Sequence, residues 1–261
     1  MPAYTADAIV LRRIDLGEAD RIVTLFTREY GKVAAIAKGA RRPRSRFSGG
    51  TELFMVARFL LATGRNLDVV TQCEITRSFA GLRTDLNRLA RATYLCELLD
   101  RLTPERDAVT APELFDLTME GLEWLDRAQE AFDVPVHAYE LRLMEVLGYA
   151  PSLDACVLCG EPLQRFPVGF SPAQGGAVCT ADRHRVEDAF ALSREALHLL
   201  RVLAQSCSEE ILDLRPDLKT AAEVARAMRR YIRFRTERDL QSAAFLEEVR
   251  AAQRVQIRSR Q

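Results

Sequence analysis

Ile22-Val23-Thr24-Leu25-Phe26-Thr27, then Arg28-Glu29-Tyr30-Gly31, then Lys32-Val33-Ala34-Ala35-Ile36-Ala37 is the stretch on which the reading of the fold turns. Two short apolar runs rich in β-branched residues flank a turn at Tyr30-Gly31, which is the pattern of strands and not of a helix. Working outward, runs of the same kind occupy residues 8–14, 53–62 and 67–75, with turn residues at Gly17, in the basic segment after Ala37 and at Gly64-Arg65-Asn66. With 22–27 and 33–37 they make five predicted strands in the first 80 residues. A five-stranded antiparallel unit of this length suits a small closed barrel such as the OB-fold, with an SH3-like barrel as the alternative.

From Arg83 the period changes. Leu86, Leu89, Ala90, Thr93, Leu95, Leu98, Leu99 and Leu102 recur at helical spacing, and Pro104 ends the element. Further helices are expected from Pro112 to about Ala131, from Pro135 to Gly148, from an N-cap at Ser193 to about Ser206, and over residues 219–238. Residues 151–188 instead hold Pro, Gly and Cys without periodicity. The predicted class is therefore α+β: an OB-fold nucleic-acid-binding domain over 1–80, a helical domain over 81–150 and 189–250, a zinc module inserted at 151–188, and a basic C-terminal tail at 251–261.

The chain is neutral, with 37 basic and 37 acidic residues among 261. Yet Lys32, Lys38, Arg41, Arg42, Arg44 and Arg46 follow one another with no acidic residue until Glu52. Charge gathered in this way implies a polyanionic partner. Pro43 and Ser48-Gly49-Gly50 make the segment a loop or arm. Arginine suits phosphates because its planar fork donates two hydrogen bonds at once, while Phe47 reads better as a core residue than as a base-stacking one. A second cluster, Arg226, Arg229, Arg230 and Arg233, is spaced to fall on one helix face, with Arg235 and Arg238 extending it. Glu223, Glu237 and Asp239 are near enough in sequence to pair with some of these arginines, so this face is a candidate second nucleic-acid contact beside the ordinary reading of a solvated face.

Cys156-Val157-Leu158-Cys159-Gly160 followed by Cys179-Thr180-Ala181-Asp182-Arg183-His184 has the spacing of two zinc knuckles. Gly160 permits the positive φ that such a knuckle needs. Three cysteines are set; the fourth ligand is either His184, preferred because Zn²⁺ takes imidazole readily beside thiolates, or Asp182. With four protein ligands the ion would be structural, one per chain. Cys73, Cys96 and Cys207 are scattered through patterned segments, unlike a disulfide framework.

No P-loop, GxGxxG or HExxH occurs, so nucleotide hydrolysis, dinucleotide chemistry and common zinc proteolysis lack their sequence apparatus. Asp15, Glu18 and Asp20 read as turn chemistry and not as a magnesium site, and His137 and His198 read as structural helix residues. No enzyme is expected. The N-terminus lacks the pattern of a signal peptide and no run is long enough for a membrane span, so a cytoplasmic protein is expected, associated with the nucleoid when bound to DNA.

Gly17-Glu18-Ala19-Asp20-Arg21-Ile22-Val23-Thr24-Leu25-Phe26-Thr27 with Gly31-Lys32, then Ala37-Lys38-Gly39-Ala40-Arg41-Arg42 and Ser45-Arg46, resembles the N-terminal signature of the RecO family of bacterial DNA repair proteins. The resemblance implies an OB-fold, a helical domain and, between helices, a cysteine-rich zinc module. Cys156, Cys159 and Cys179 occupy three of its usual ligand positions, and Asp182 stands where a fourth cysteine is familiar. It also implies a recombination mediator that binds single- and double-stranded DNA, anneals complementary strands and, with RecR, assists loading of RecA onto DNA coated by single-stranded DNA-binding protein. The alternative is a zinc-containing transcription or translation accessory factor acting mainly through protein contacts.

Overall fold

The computed structural model describes residues 2–47, 49–206, 208–236 and 240–258. Five strands, β1 (Ala3–Leu16), β2 (Asp20–Thr27), β3 (Gly31–Ala37), β4 (Met55–Ala62) and β5 (Asp68–Ser78), close into a barrel in the order β1-β2-β3-β5-β4, with β1 pairing back onto β4. This is the order of an OB-fold. Closure explains why β1 runs longer than its apolar pattern: residues 3–9 pair with β4, residues 8–16 pair with β2, and a register irregularity between Val10 and Arg12 lets one strand serve two neighbours. The barrel is not wholly antiparallel as expected. The chain after β3 crosses over before β4 pairs with β1, so β5 meets β3 in parallel.

The pleat sends alternate residues inward. Val23 and Leu25 from β2, Val33, Ala35 and Ala37 from β3, and Phe59 and Leu61 from β4 are each no more than 1% exposed and form one core. The turn before β3 needs glycine on two counts. Gly31 has φ +66°, and a Cβ there would stand 2.3 Å from the Asp107 carbonyl oxygen.

The helices that follow are α1 (Ala80–Thr84), α2 (Leu86–Leu102), α3 (Ala111–Arg127) and α4 (Asp133–Val146). Then come three short strands, β6 (Val168–Ser171), β7 (Gly176–Val178) and β8 (Phe190–Leu192), paired in the order β7-β6-β8. Helices α5 (Arg194–Gln205), α6 (Ser208–Asp213), α7 (Leu218–Thr236) and α8 (Gln241–Arg258) complete the chain. Asp85 caps α2 by accepting the Arg88 N–H, and Ser193 caps α5 by accepting the Ala196 N–H, as its position predicted.

Helix α8 replaces the expected tail over 251–258; residues 259–261 lie outside the described set. Its start is held by Glu97 of α2, which accepts the N–H groups of Gln241 and Ser242 at 3.0 and 2.7 Å. The carboxylate thus satisfies orphan donors at a helix N-terminus. Burial works against ionisation of Glu97, but the bonds from Ser242 and Gln241 outweigh it and hold the carboxyl below its ordinary range.

Two compact units result. One takes residues up to 126 together with those from 240 onward, and the other takes residues 127–239. Among the described residues no helix is long and apolar enough to cross a membrane.

Candidate nucleic-acid interface and metal centre

The basic segment is a chain of turns pinned to the barrel and not a free arm. The Asp20 carboxylate accepts the Gly39 N–H at 2.8 Å, the Ala19 carbonyl accepts the Arg41 N–H at 2.9 Å, and Arg42 and Ser45 N–H groups close successive turns at 3.1 and 3.0 Å. Asp20 is therefore turn chemistry. Phe47, 6% exposed, anchors the far end in the barrel core; truncating a buried aromatic costs on the order of 3–5 kcal/mol. Ser48 lies outside the described residues.

This frame turns Lys38, Arg41, Arg42, Arg44 and Arg46 to solvent. Among the described residues only Arg41 has a carboxylate partner, Asp15 at 3.3 Å; it also donates to the Gly17 carbonyl at 2.7 Å. Arg46 lies over the Phe47 ring, 4.9 Å from its centroid. Lys32 does not belong to the set. Its Nζ lies 3.1 Å from Asp100 Oδ1 on α2, the side chains are only 14% and 17% exposed, and the same ammonium donates to the Asp100 carbonyl. A charge held by a partner in a partly buried contact is not offered to phosphates, so the structure corrects the expectation for Lys32.

On α7 the predicted face is formed. Asp217 accepts the N–H groups of Lys219 and Thr220 and starts the helix. Val224, Ala227, Met228, Tyr231 and Ile232 are buried while Arg226, Arg229, Arg230 and Arg233 are exposed. Glu223, expected to neutralise this face, instead accepts the Ser193 N–H at 2.8 Å. Glu237, Arg238 and Asp239 lie outside the described residues.

The cysteines meet. Backbone turns close both knuckles, Gly160 N–H to the Cys156 carbonyl at 2.9 Å and Arg183 N–H to the Cys179 carbonyl at 3.0 Å. Gly160 adopts φ +75° as anticipated. Val157 N–H donates to the Ala177 carbonyl of β7 at 2.9 Å, so the strand that delivers Cys179 is tied to the first knuckle.

The ligand atoms of Cys156, Cys159, Cys179 and Asp182 all lie within 4.8 Å of one another, and among the described residues this is the one group of three or more His, Cys, Asp or Glu side chains so arranged. His184 is not part of it. Asp182 stands three residues after Cys179, the same spacing as Cys159 after Cys156, whereas His184 sits in the 3₁₀ turn Arg183–Arg185 beyond the knuckle. The preference for His184 is thus corrected in favour of Asp182.

The donor set fits a tetrahedral ion. Ion–sulfur and ion–oxygen distances of about 2.3 and 2.0 Å imply edges of about 3.8 Å between sulfurs and about 3.5 Å between sulfur and oxygen. Cys159 and Cys179 Sγ lie 3.9 Å apart, and Asp182 Oδ2 lies 3.4 Å from Cys179 Sγ and 3.8 Å from Cys156 Sγ.

Electrostatics agree. Burial acts to raise Cys156, but N–H groups of Cys179, Cys159 and Leu158 outweigh it and hold the thiol below its ordinary value. The Glu161 N–H favours the Cys159 thiolate, yet Cys156, Asp182 and Cys179 crowd it and push it up to about 12. Four neighbouring acids cannot all ionise without a cation among them. Arg185, which sequence reasoning passed over, holds the spare Asp182 oxygen at 3.0 Å; the i, i+3 spacing of the two was the available signal.

Comparison with known proteins bears on the whole chain. A family model described as Recombination protein O N terminal matches residues 1–79, and one described as Recombination protein O C terminal matches residues 83–244. A DNA repair protein RecO of Symbiobacterium thermophilum is 44% identical over 97% of this chain and 100% of its own length. Proteins of the same name from a Roseiflexus species and from Heliobacterium modesticaldum are 41% and 38% identical, each over 95% of this chain and over 86% and 91% of their own lengths. With both halves matched and relatives aligned almost end to end, the chain belongs to the RecO family.

Proposed function

We infer that this protein is a non-enzymatic mediator of DNA repair and recombination. It binds single- and double-stranded DNA, anneals complementary strands and, with RecR, assists RecA loading on DNA coated by single-stranded DNA-binding protein. The observation that carries the reading is the row Lys38, Arg41, Arg42, Arg44 and Arg46, held outward on a closed barrel with one acidic partner, Asp15 on Arg41, among the described residues. Two strands gathered on such a row have their phosphate repulsion lowered, which speeds pairing without a chemical step. The α7 arginines supply a second contact. Residues 1–80 act as the nucleic-acid-binding domain, 81–150 and 189–250 as the helical scaffold, and 151–188 as the metal module.

Cys156, Cys159, Cys179 and Asp182 would hold one zinc ion per chain. Bound by all four, it would tie the two knuckles and leave no position for water, which is a structural role.

The test is a fluorescence-quench annealing assay with complementary oligonucleotides coated by single-stranded DNA-binding protein, run with the native chain and with alanine at the five exposed cations. Faster annealing by the native chain alone supports the reading. Equal rates for both proteins, with neither exceeding the uncatalysed rate, would sink it in favour of a factor that works through protein contacts.

A further inference from the structure

Helix α7 lays several arginines against aromatic rings. The guanidinium carbons of Arg226 and Arg230 lie 5.0 and 4.7 Å from the centroid of Phe190 on β8. That of Arg235 lies 5.5 Å from Tyr149, 5.1 Å from Tyr231 and 5.6 Å from Phe234. Among the described residues none of these three arginines has a carboxylate partner: Arg226 donates to the Ala191 carbonyl and Arg235 to the Tyr231 hydroxyl, while the buried Arg235 Nε has no partner. Tyr231 is buried and donates its hydroxyl to the Tyr149 carbonyl at 2.7 Å, which fixes Tyr149 beside the helix. Two rings of the group face water, Tyr149 at 49% and Phe234 at 47% exposure.

Flat apolar faces next to guanidinium groups that have no carboxylate partner among the described residues call for a ligand that is both aromatic and anionic. A single-stranded nucleic acid offers a base and a phosphate in every nucleotide, whereas a duplex keeps its base faces stacked inside. We propose that Tyr149, Phe234 and Arg235 form a base-stacking site for single-stranded nucleic acid, with Arg226 and Arg230 continuing along its phosphates. The proposal rests on the nucleic-acid reading above and sharpens it. Phe47, the aromatic residue beside the basic segment, is buried; that segment therefore holds phosphates of single strands and duplexes alike, while the α7 site selects the unpaired strand.

The experiment measures affinity of the full chain for three labelled probes: an oligothymidylate, an abasic oligonucleotide of equal length, and a blunt duplex. Tyr149→Ala and Phe234→Ala should each weaken oligothymidylate binding about tenfold or more while leaving abasic and duplex binding and the salt slope unchanged. Phe234→Tyr should restore binding. The Tyr149 carbonyl survives side-chain truncation, so the bond from Tyr231 is kept and an unaltered melting temperature is expected. Unchanged oligothymidylate affinity, or equal losses on thymidylate and abasic probes, would overturn the proposal. A native chain that binds none of the three nucleic acids would instead overturn the function on which the proposal rests.

Discussion

The basic segment and the cysteine cluster both crowd like charges into a short stretch, and the fold treats them in opposite ways. The segment's cations are spread over turns whose bonds are neutral or backbone-to-carboxylate, such as Gly39 to Asp20, and they point into water. Its shape does not depend on a ligand. The cluster draws three thiols and a carboxylate to within 4.8 Å of one another, where ionisation of all four needs a cation between them. On the function proposed above, the first arrangement would store binding capacity and the second, once a metal is bound, folding stability. Changing one should leave the property of the other almost untouched.

The largest expected effect comes from metal removal. Chelation, or Cys156→Ser, should lower stability by several kcal/mol, because the apparent binding energy of a structural zinc is of order 10 kcal/mol and part of it is folding energy. Thermal melts with and without chelator would read it. Metal retention should also fall as pH drops, since protons compete for the thiolates. A melt indifferent to chelator in protein shown to carry one zinc would break the contrast.

Next comes the segment itself. Alanine at Lys38, Arg41, Arg42, Arg44 and Arg46 should weaken oligonucleotide binding on the order of a hundredfold at low salt. The melting temperature should barely move. A smaller effect separates Lys32 from its neighbours in sequence: Lys32→Ala should cost about 2 kcal/mol through the abandoned Asp100 carboxylate and leave DNA affinity nearly unchanged. Smallest of all are His184→Ala and Asp182→Cys, which should each keep the metal, whereas Asp182→Ala, which removes a ligand, should lose affinity for it. Metal content after dialysis against a weak chelator would rank the three.

The barrel was legible because its strands carry their own period: Val23 and Leu25, then Val33, Ala35 and Ala37, alternate inward as the sequence displays. The ends of β1 and the parallel contact of β3 with β5 were not, because closure and not local pattern sets them. The sequence likewise places a tail from residue 251, whereas α8 continues to Arg258; the helix begins where Glu97, from a helix more than a hundred residues earlier, satisfies its N-terminal N–H groups. At the sites, residue type and clustering identified the basic segment and three cysteines. They could not show that Lys32 is already paired with Asp100, 68 residues away. The choice of Asp182 over His184 follows from equal knuckle spacing, a backbone constraint that outweighs the general affinity of zinc for imidazole.

The most direct test of the basic segment as the phosphate-binding surface is the salt dependence of single-stranded oligonucleotide binding. Five exposed cations on phosphates predict that the segment contributes about −3.5 to the slope of log affinity against log salt, so the slope of the five-alanine variant should be shallower by that amount. Parallel slopes for the native chain and the variant would show that phosphates do not lie on Lys38–Arg46 and would move the DNA path elsewhere.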